Sequence, residues 1–206
     1  KYFQLIAGQP MPGARLLRFF LRAASVPYSI VVQVRNWIID SVPGRVKGSG
    51  VPVISVGNVT TGGTGKTPVV ALIVNRLAGQ KLRPGIVSRG YRSLSDDGND
   101  EKRVLAALCP NVPHVQNRNR VAAARKCVSQ FEANVLVADD AFQHRRLARD
   151  LDIVLVDALN PWGHGFVLPR GLLREPLSGL RRADLVILTR ADLVSAERRA
   201  EIWSEV

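Results

Sequence analysis

Cysteine is nearly missing from this chain. The 206 residues hold two, Cys109 and Cys127, too few and too widely spaced for a zinc site or a disulfide framework. A buried structural role in a reducing compartment is expected for each. Acidic residues are also in short supply: 17 Asp and Glu stand against 29 Lys and Arg, a net charge of +12. That balance suits nucleic acid, an anionic membrane surface or a phosphorylated substrate as partner, or it serves solubility alone. No RNA-binding or helix-turn-helix signature accompanies the charge, which ranks nucleic acid last. A long uninterrupted apolar run is lacking too. The longest charge-free stretch near the N-terminus, between Arg22 and Arg35, falls short of the roughly 20 residues that cross a bilayer. A signal peptide fits poorly, because arginines lie inside the apolar region and no small-residue cleavage site follows it.

What is present describes a folded protein. A hydrophobic content of 46% and a charged content of 22% suit one α/β domain with an appendage. Residues 14–39 combine Leu16, Leu17, Phe19, Phe20, Ile30, Val31 and Trp37 with Arg15, Arg18, Arg22 and Arg35. Such a segment can lie in a membrane interface or pack on the domain as an amphipathic helical hairpin, and the two readings are compatible. Pro27 is expected to kink or split the helix. The chain starts at Lys1 and stops at Val206 inside an expected helix, so a fragment of a longer protein is expected.

After Gly48-Ser49-Gly50 the pattern changes. Residues 51–57 form a short β-branched run of the kind that makes a buried parallel strand. Thr61-Gly62-Gly63-Thr64-Gly65-Lys66-Thr67 follows, then a helix expected over 66–78 with Pro68 in its first turn. Strand, glycine loop and helix are the context of a phosphate-binding loop. Glycines let successive N–H groups turn inward, the helix terminus adds partial positive charge, Lys66 reaches the β- and γ-phosphates, and Thr67 can ligate magnesium. The usual first glycine of this pattern is replaced by Thr60.

Further strands are expected at 85–88, 135–138, 153–156 and 185–188, and helices at 118–131 and from 196 onward. This alternation predicts a P-loop NTPase-like α/β fold, a mostly parallel sheet with helices on both faces, behind an N-terminal apolar and basic helical segment. The expected division is residues 1–48 and 49–206. Ligands in such sheets sit at the carboxyl ends of strands, so Arg89-Gly90-Tyr91, Asp139-Asp140 and Asp157 should face one crevice. The aspartates after the 135–138 strand are candidate magnesium ligands. Thr189-Arg190-Ala191-Asp192 is similar to the base-reading motif of GTPases, with its Asn and Lys replaced. A strand end leading into a helix is the plainer reading.

Several longer motifs, in order, resemble the tetraacyldisaccharide 4'-kinases of lipid A synthesis. They are Tyr28 with Arg35-Asn36-Trp37 and Asp40, the stretch 53–68 including its Thr60, residues 87–91, residues 120–124, Asp139 to His144, and Leu173 to Pro176. The resemblance implies transfer of the γ-phosphate of ATP, with Mg2+, to the 4'-hydroxyl of an acylated glucosamine disaccharide 1-phosphate, giving lipid IVA. It implies a monomer bound peripherally to the anionic surface of the inner membrane, on its cytoplasmic face, without nucleic acid. It makes Lys66 and Thr67 phosphate and magnesium ligands, Asp139 and Asp140 a metal-binding pair, and Gln143 and His144 active-site residues, His144 among the catalytic groups. It puts Arg89, Tyr91, Arg174 and Glu175 near the substrate. The family's catalytic base aligns best with Asp100, where an inserted Asn99 and Lys102 in place of Pro depart from its Gly-Asp-Glu-Pro pattern. Family members are longer and carry a second lobe with a His that pairs with the base, so this chain should bind nucleotide better than it turns over. Two other readings stay open. One is a GTPase-like regulatory or metal-delivery NTPase, and the other a non-catalytic membrane-binding module.

Overall fold

A computed structural model describes residues 1–90 and 100–206, with Asp100 and Glu101 described by their backbone alone. Strands β1 (Val53–Asn58), β2 (Pro84–Ser88), β3 (His114–Gln116), β4 (Val135–Asp139), β5 (Leu151–Asp157) and β6 (Leu185–Thr189) form a parallel sheet. Their order is β3-β2-β4-β1-β5-β6. Helices α1 (Tyr2–Ile6) and α2 (Ala14–Ser41) precede the sheet. Helices α3 (Lys66–Gly79), α4 (Asp100–Leu108), α5 (Arg120–Phe131) and α6 (Ala196–Ser204) are interleaved with it.

The inner strands β2 and β4 are buried along their length because helices cover both faces of the sheet there. Leu136 and Ala138 of β4 pack with Ala123, Ala124 and Cys127 of α5. Val137, one residue between them, packs on the opposite face with Val70 and Val74 of α3 and Leu105 of α4. Val154 and Val156 of β5 lie with Phe142, Leu173 and Ile202 of α6. Burying each such Val, Leu or Ile contributes roughly 1.5–3 kcal/mol. The register aligns Val56 with Asp139 and Asp157 with Thr189, so the carboxyl ends of β1, β4, β5 and β6 open on one edge. Gly57 allows the loop after β4 to sit directly on β1. A Cβ at Gly57 would lie 2.6 Å from Phe142 Cβ and 2.8 Å from the Phe142 amide nitrogen.

Four elements differ from expectation. α2 runs unbroken through Pro27, so one helix replaces the expected split and the hairpin. Proline removes only the bond to the Ala23 carbonyl, and both residues are exposed, where water can serve that carbonyl. α4 (Asp100–Leu108) was not among the expected helices and is anchored by Leu105, which is fully buried. β3 is three residues long, too short to leave a period in the sequence. α5 begins at Arg120, two residues later than expected, because Asn119 Oδ1 accepts from the Val121 and Ala122 amides (3.2 Å each) and so fixes the helix start.

α2 lies across the open edge of the sheet. Its Ser25, Val32 and Ile39 are buried. Ser25 Oγ accepts from the Arg170 amide (3.1 Å), and the Tyr28 hydroxyl donates to the Arg174 carbonyl (2.9 Å). Phe19, Phe20, Ile30, Val31 and Trp37 remain exposed. Among the described residues no helix is long and apolar enough to cross a membrane.

Candidate active site

β1 ends in Asn58, and residues 59–65 wrap the amino end of α3. The outer edge of this loop is held by main chain. The Thr61 amide donates to Leu172 O (2.7 Å) and the Arg174 amide to Val59 O (2.8 Å), with Thr60 opposite Leu173 in antiparallel sense. Gly62 (φ 120°) and Gly65 (φ 77°) adopt backbone that favours glycine. Gly65 precedes α3 with no side-chain cap, which leaves the first helical amides available to an anion. Lys66 Nζ donates to Asn58 Oδ1 (3.2 Å) and lies 3.6 Å from Asp140 Oδ1. Asn58 is itself buried, and its Nδ2 donates to Thr60 O at 2.7 Å. Its amide oxygen is thereby turned toward Lys66.

Opposite the loop, the two aspartates divide. Asp139 closes β4 with its side chain buried. Asp140 turns into left-handed backbone (φ 48°) and meets both Lys66 and Arg174, the latter at 2.7 Å. Burial pushes the Asp140 carboxyl up, but Arg174, Lys66 and Arg120 outweigh it and hold it below the usual range. The carboxylate is therefore ionised at neutral pH. Arg120, 2% exposed, donates to the Asp139 and Asp140 carbonyls (3.1 and 3.2 Å) and fixes the turn between them. Thr64 Oγ1 is buried without a hydrogen-bond partner. Thr67, Asp139 and Asp140 carry oxygen donors, the ligand type that magnesium takes when it is shared with phosphate oxygens, and of the two aspartates Asp140 is the one among the described cleft-lining residues.

Behind Asp140 stands a polar chain. Arg174 donates to Gln143 Oε1 (3.2 Å), and Gln143 Nε2 donates to Asn58 O (2.8 Å) and Glu175 Oε1 (3.1 Å). Glu175, 1% exposed, receives both bonds of Arg182 (3.0 and 2.9 Å). Expected beside the substrate, Glu175 is instead enclosed and reaches the cleft through Gln143.

The cleft between α2 and the loops after β1, β2 and β4 measures about 560 Å³. Arg35, Arg89, Arg118, Arg120 and Arg174 line it, with Asp140 the one carboxylate among its described lining residues. His144 also faces it. Burial, and then Arg120, Arg149, Arg146 and Arg89, lower its pKa to about 4, so its ring is neutral at pH 7. An unfolded histidine titrates near 6.5, so unfolding takes up a proton between about pH 6.5 and pH 4. Stability present above that window is lost as pH falls through it. His114, lowered to about 4 by burial and Lys102, acts with the same sign. His144→Asn should flatten the fall in melting temperature between pH 6.5 and 4.5; an unchanged slope would contradict the assigned shift.

The structure thus brings Thr61, Lys66, Asp140, Gln143, His144, Arg89 and Arg174 to one opening. Asp157 is turned aside into an ion pair with Arg190 (2.7 Å). Tyr91 lies outside the described residues, as does the side chain of Asp100. Asn58, Arg118 and Arg120 were not singled out from sequence as site residues. Asn58 and Arg120 lie in the resembled stretches 53–68 and 120–124, whereas no motif covers Arg118.

A family profile described as Tetraacyldisaccharide-1-P 4'-kinase matches residues 17–205. A Tetraacyldisaccharide 4'-kinase of Halothermothrix orenii is 38% identical over 91% of this chain and 53% of its own length. That of Syntrophus aciditrophicus is 43% identical over 86% of this chain and 51% of its own. The crystal structure of the "apo" form of LpxK from Aquifex aeolicus in complex with ATP superposes with a TM-score of 0.79 at 34% identity, covering 86% of this chain and 60% of that one. The chain spans about half the length of the curated relatives it matches.

Proposed function

Because the chain belongs to the tetraacyldisaccharide-1-P 4'-kinase family, we propose that its protein transfers the γ-phosphate of ATP to the 4'-hydroxyl of a tetraacyldisaccharide 1-phosphate, giving lipid IVA. The observation that carries the reading is the meeting of Lys66 and Asp140 at the mouth of the phosphate loop (3.6 Å), beside a cleft rich in arginine.

Amides at the start of α3 and the Lys66 ammonium receive the β- and γ-phosphates. Asn58 and Asp140 keep Lys66 aimed there before nucleotide arrives. Magnesium, held by Thr67, Asp140 and Asp139, would neutralise charge on the phosphate oxygens. Arg35, Arg89 and Arg118 suit the acceptor's own phosphate, as guanidinium groups bind phosphate oxygens in pairs. Neutral His144 offers a hydrogen bond at the cleft without adding charge. Asp100 is assigned the proton of the attacking hydroxyl. Next to the cleft, Ile30, Val31, Val34, Ile38 and Ile39 of α2 line an apolar groove of about 570 Å³, which suits acyl chains. The exposed aromatic and aliphatic residues of α2, with its arginines, support peripheral attachment to the anionic cytoplasmic face of the inner membrane. The protein is assigned as a monomer.

The test is an assay of the full-length protein with ATP, magnesium and the acylated disaccharide phosphate. A singly further phosphorylated product is expected. No product at any enzyme level, or a clear preference for GTP in a nucleotide competition, would remove the assignment.

A further inference from the structure

The proposed chemistry uses none of residues 189–192, yet Arg190 among them touches the phosphate loop. This residue follows β6 in left-handed backbone (φ 55°). One arm of its guanidinium pairs with Asp157 Oδ2 at 2.7 Å, and the other donates to the carbonyl of Gly63 in the phosphate loop. Asp157 is fixed in turn, since its Oδ1 accepts from the Leu159 amide (3.1 Å). The wall behind it is fixed too, since the Ala158 amide donates to Thr189 O (3.0 Å). A Cβ on Gly65 would lie 3.8 Å from Thr189 Cγ2, so the end of β6 lies against the loop.

We infer that Arg190 is a positioning residue for nucleotide binding: anchored on Asp157, it holds the Gly63–Thr64 peptide in the orientation that turns the Thr64 amide toward the phosphates. In a trans peptide the C=O and the following N–H point in opposite directions. Fixing Gly63 O outward on Arg190 therefore points the Thr64 N–H to the other side of the peptide, into the loop. Flanking glycines make that plane free to flip when nothing holds it. Main-chain amides bind phosphate well only when already aligned, because alignment made at the moment of binding is subtracted from affinity. The fork of arginine can hold carboxylate and carbonyl at once, whereas a lysine ammonium cannot span both with fixed geometry. The cation also sits close enough to the loop to attract a polyphosphate.

The inference rests on the kinase reading, and the experiment separates the two. Affinity for a non-hydrolysable fluorescent ATP analogue with magnesium is measured on the full-length protein, with melting temperature and steady-state kinetics alongside. Arg190→Ala should weaken analogue binding about tenfold, the loss expected for one charge-assisted hydrogen bond at a partly exposed site. The KM for ATP should rise by a similar factor, with kcat changed less than threefold. Arg190→Lys, which keeps the charge, should recover only part of the affinity. Asp157→Asn should weaken binding in the same direction, and the double variant should lose less than the sum of the two. Analogue affinity of Arg190→Ala within twofold of wild type overturns the inference. So does a loss that follows melting temperature alone, or full recovery by lysine. A wild-type protein that binds no nucleotide would remove the kinase reading and this inference with it.

Discussion

Lys66→Ala is expected to slow phosphoryl transfer about 10²–10³-fold, the cost of deleting one preorganised group that meets developing charge in a water-poor site. The ammonium lies at the mouth of the loop, with a side chain only 13% exposed. Its partners show why the fold should survive the change. Asp140 keeps Arg174 at 2.7 Å, so its carboxylate is not left unpaired, and Asn58 keeps its bond to Thr60 O. A stability loss of about 1 kcal/mol is the scale expected. Rates at saturating ATP, read beside thermal denaturation of the same protein, check this. A variant within tenfold of wild-type turnover would mean that the loop does not deliver phosphate to the cleft.

Glu175→Ala should act in the opposite manner, with its first effect on folding. The carboxylate is 1% exposed and serves Arg182, Gln143 and, more distantly, Asn36 at 3.4 Å. Deleting it removes the ion pair of Arg182, which would keep its stacking on the Phe142 ring at 4.6 Å and its attraction to Asp152. Removing one member of an enclosed ion pair costs roughly 3–5 kcal/mol. Because Arg182 is partly exposed, with 23% of its side chain accessible, about 3 kcal/mol is the better scale, or a fall in melting temperature of about 6–12 °C for a domain of this size. Turnover should fall as well, since Gln143 loses one of the groups that orient it toward Arg174. Glu175→Gln, which keeps the shape and one acceptor, should be milder on both counts. Differential scanning calorimetry of the two variants checks the order; equal melting temperatures for wild type and Glu175→Ala would show that the pair contributes nothing.

The nucleotide end of the molecule could be read from sequence because its determinants are local. β1 is mostly apolar, Gly62 and Gly65 sit where the backbone takes positive φ, and Lys66 follows at once. The same holds for β4 and the aspartates after it. What escaped depends on residues distant in the chain. Thr60 meets Leu173, and Arg145, far along the sequence, pairs with Asp40 of α2. No spacing rule in a single sequence predicts such partners. α2 was misjudged at Pro27, since a local rule about proline does not know that the carbonyl it deprives faces water. α4 was missed because its first residues are charged, and its single fully buried leucine, Leu105, gives little periodicity. Glu175 follows Arg174, which lines the cleft, but nothing in the sequence told that Arg182 would enclose it.

Arg174 shows how one residue can serve two masters. Its amide and carbonyl join the segment after β1 to α2, through Val59 O and the Tyr28 hydroxyl, while its guanidinium alone meets Asp140. The main-chain joint is indifferent to side-chain identity. Selection can therefore retune the charge beside Asp140 at this position without loosening the seam that carries the amphipathic helix.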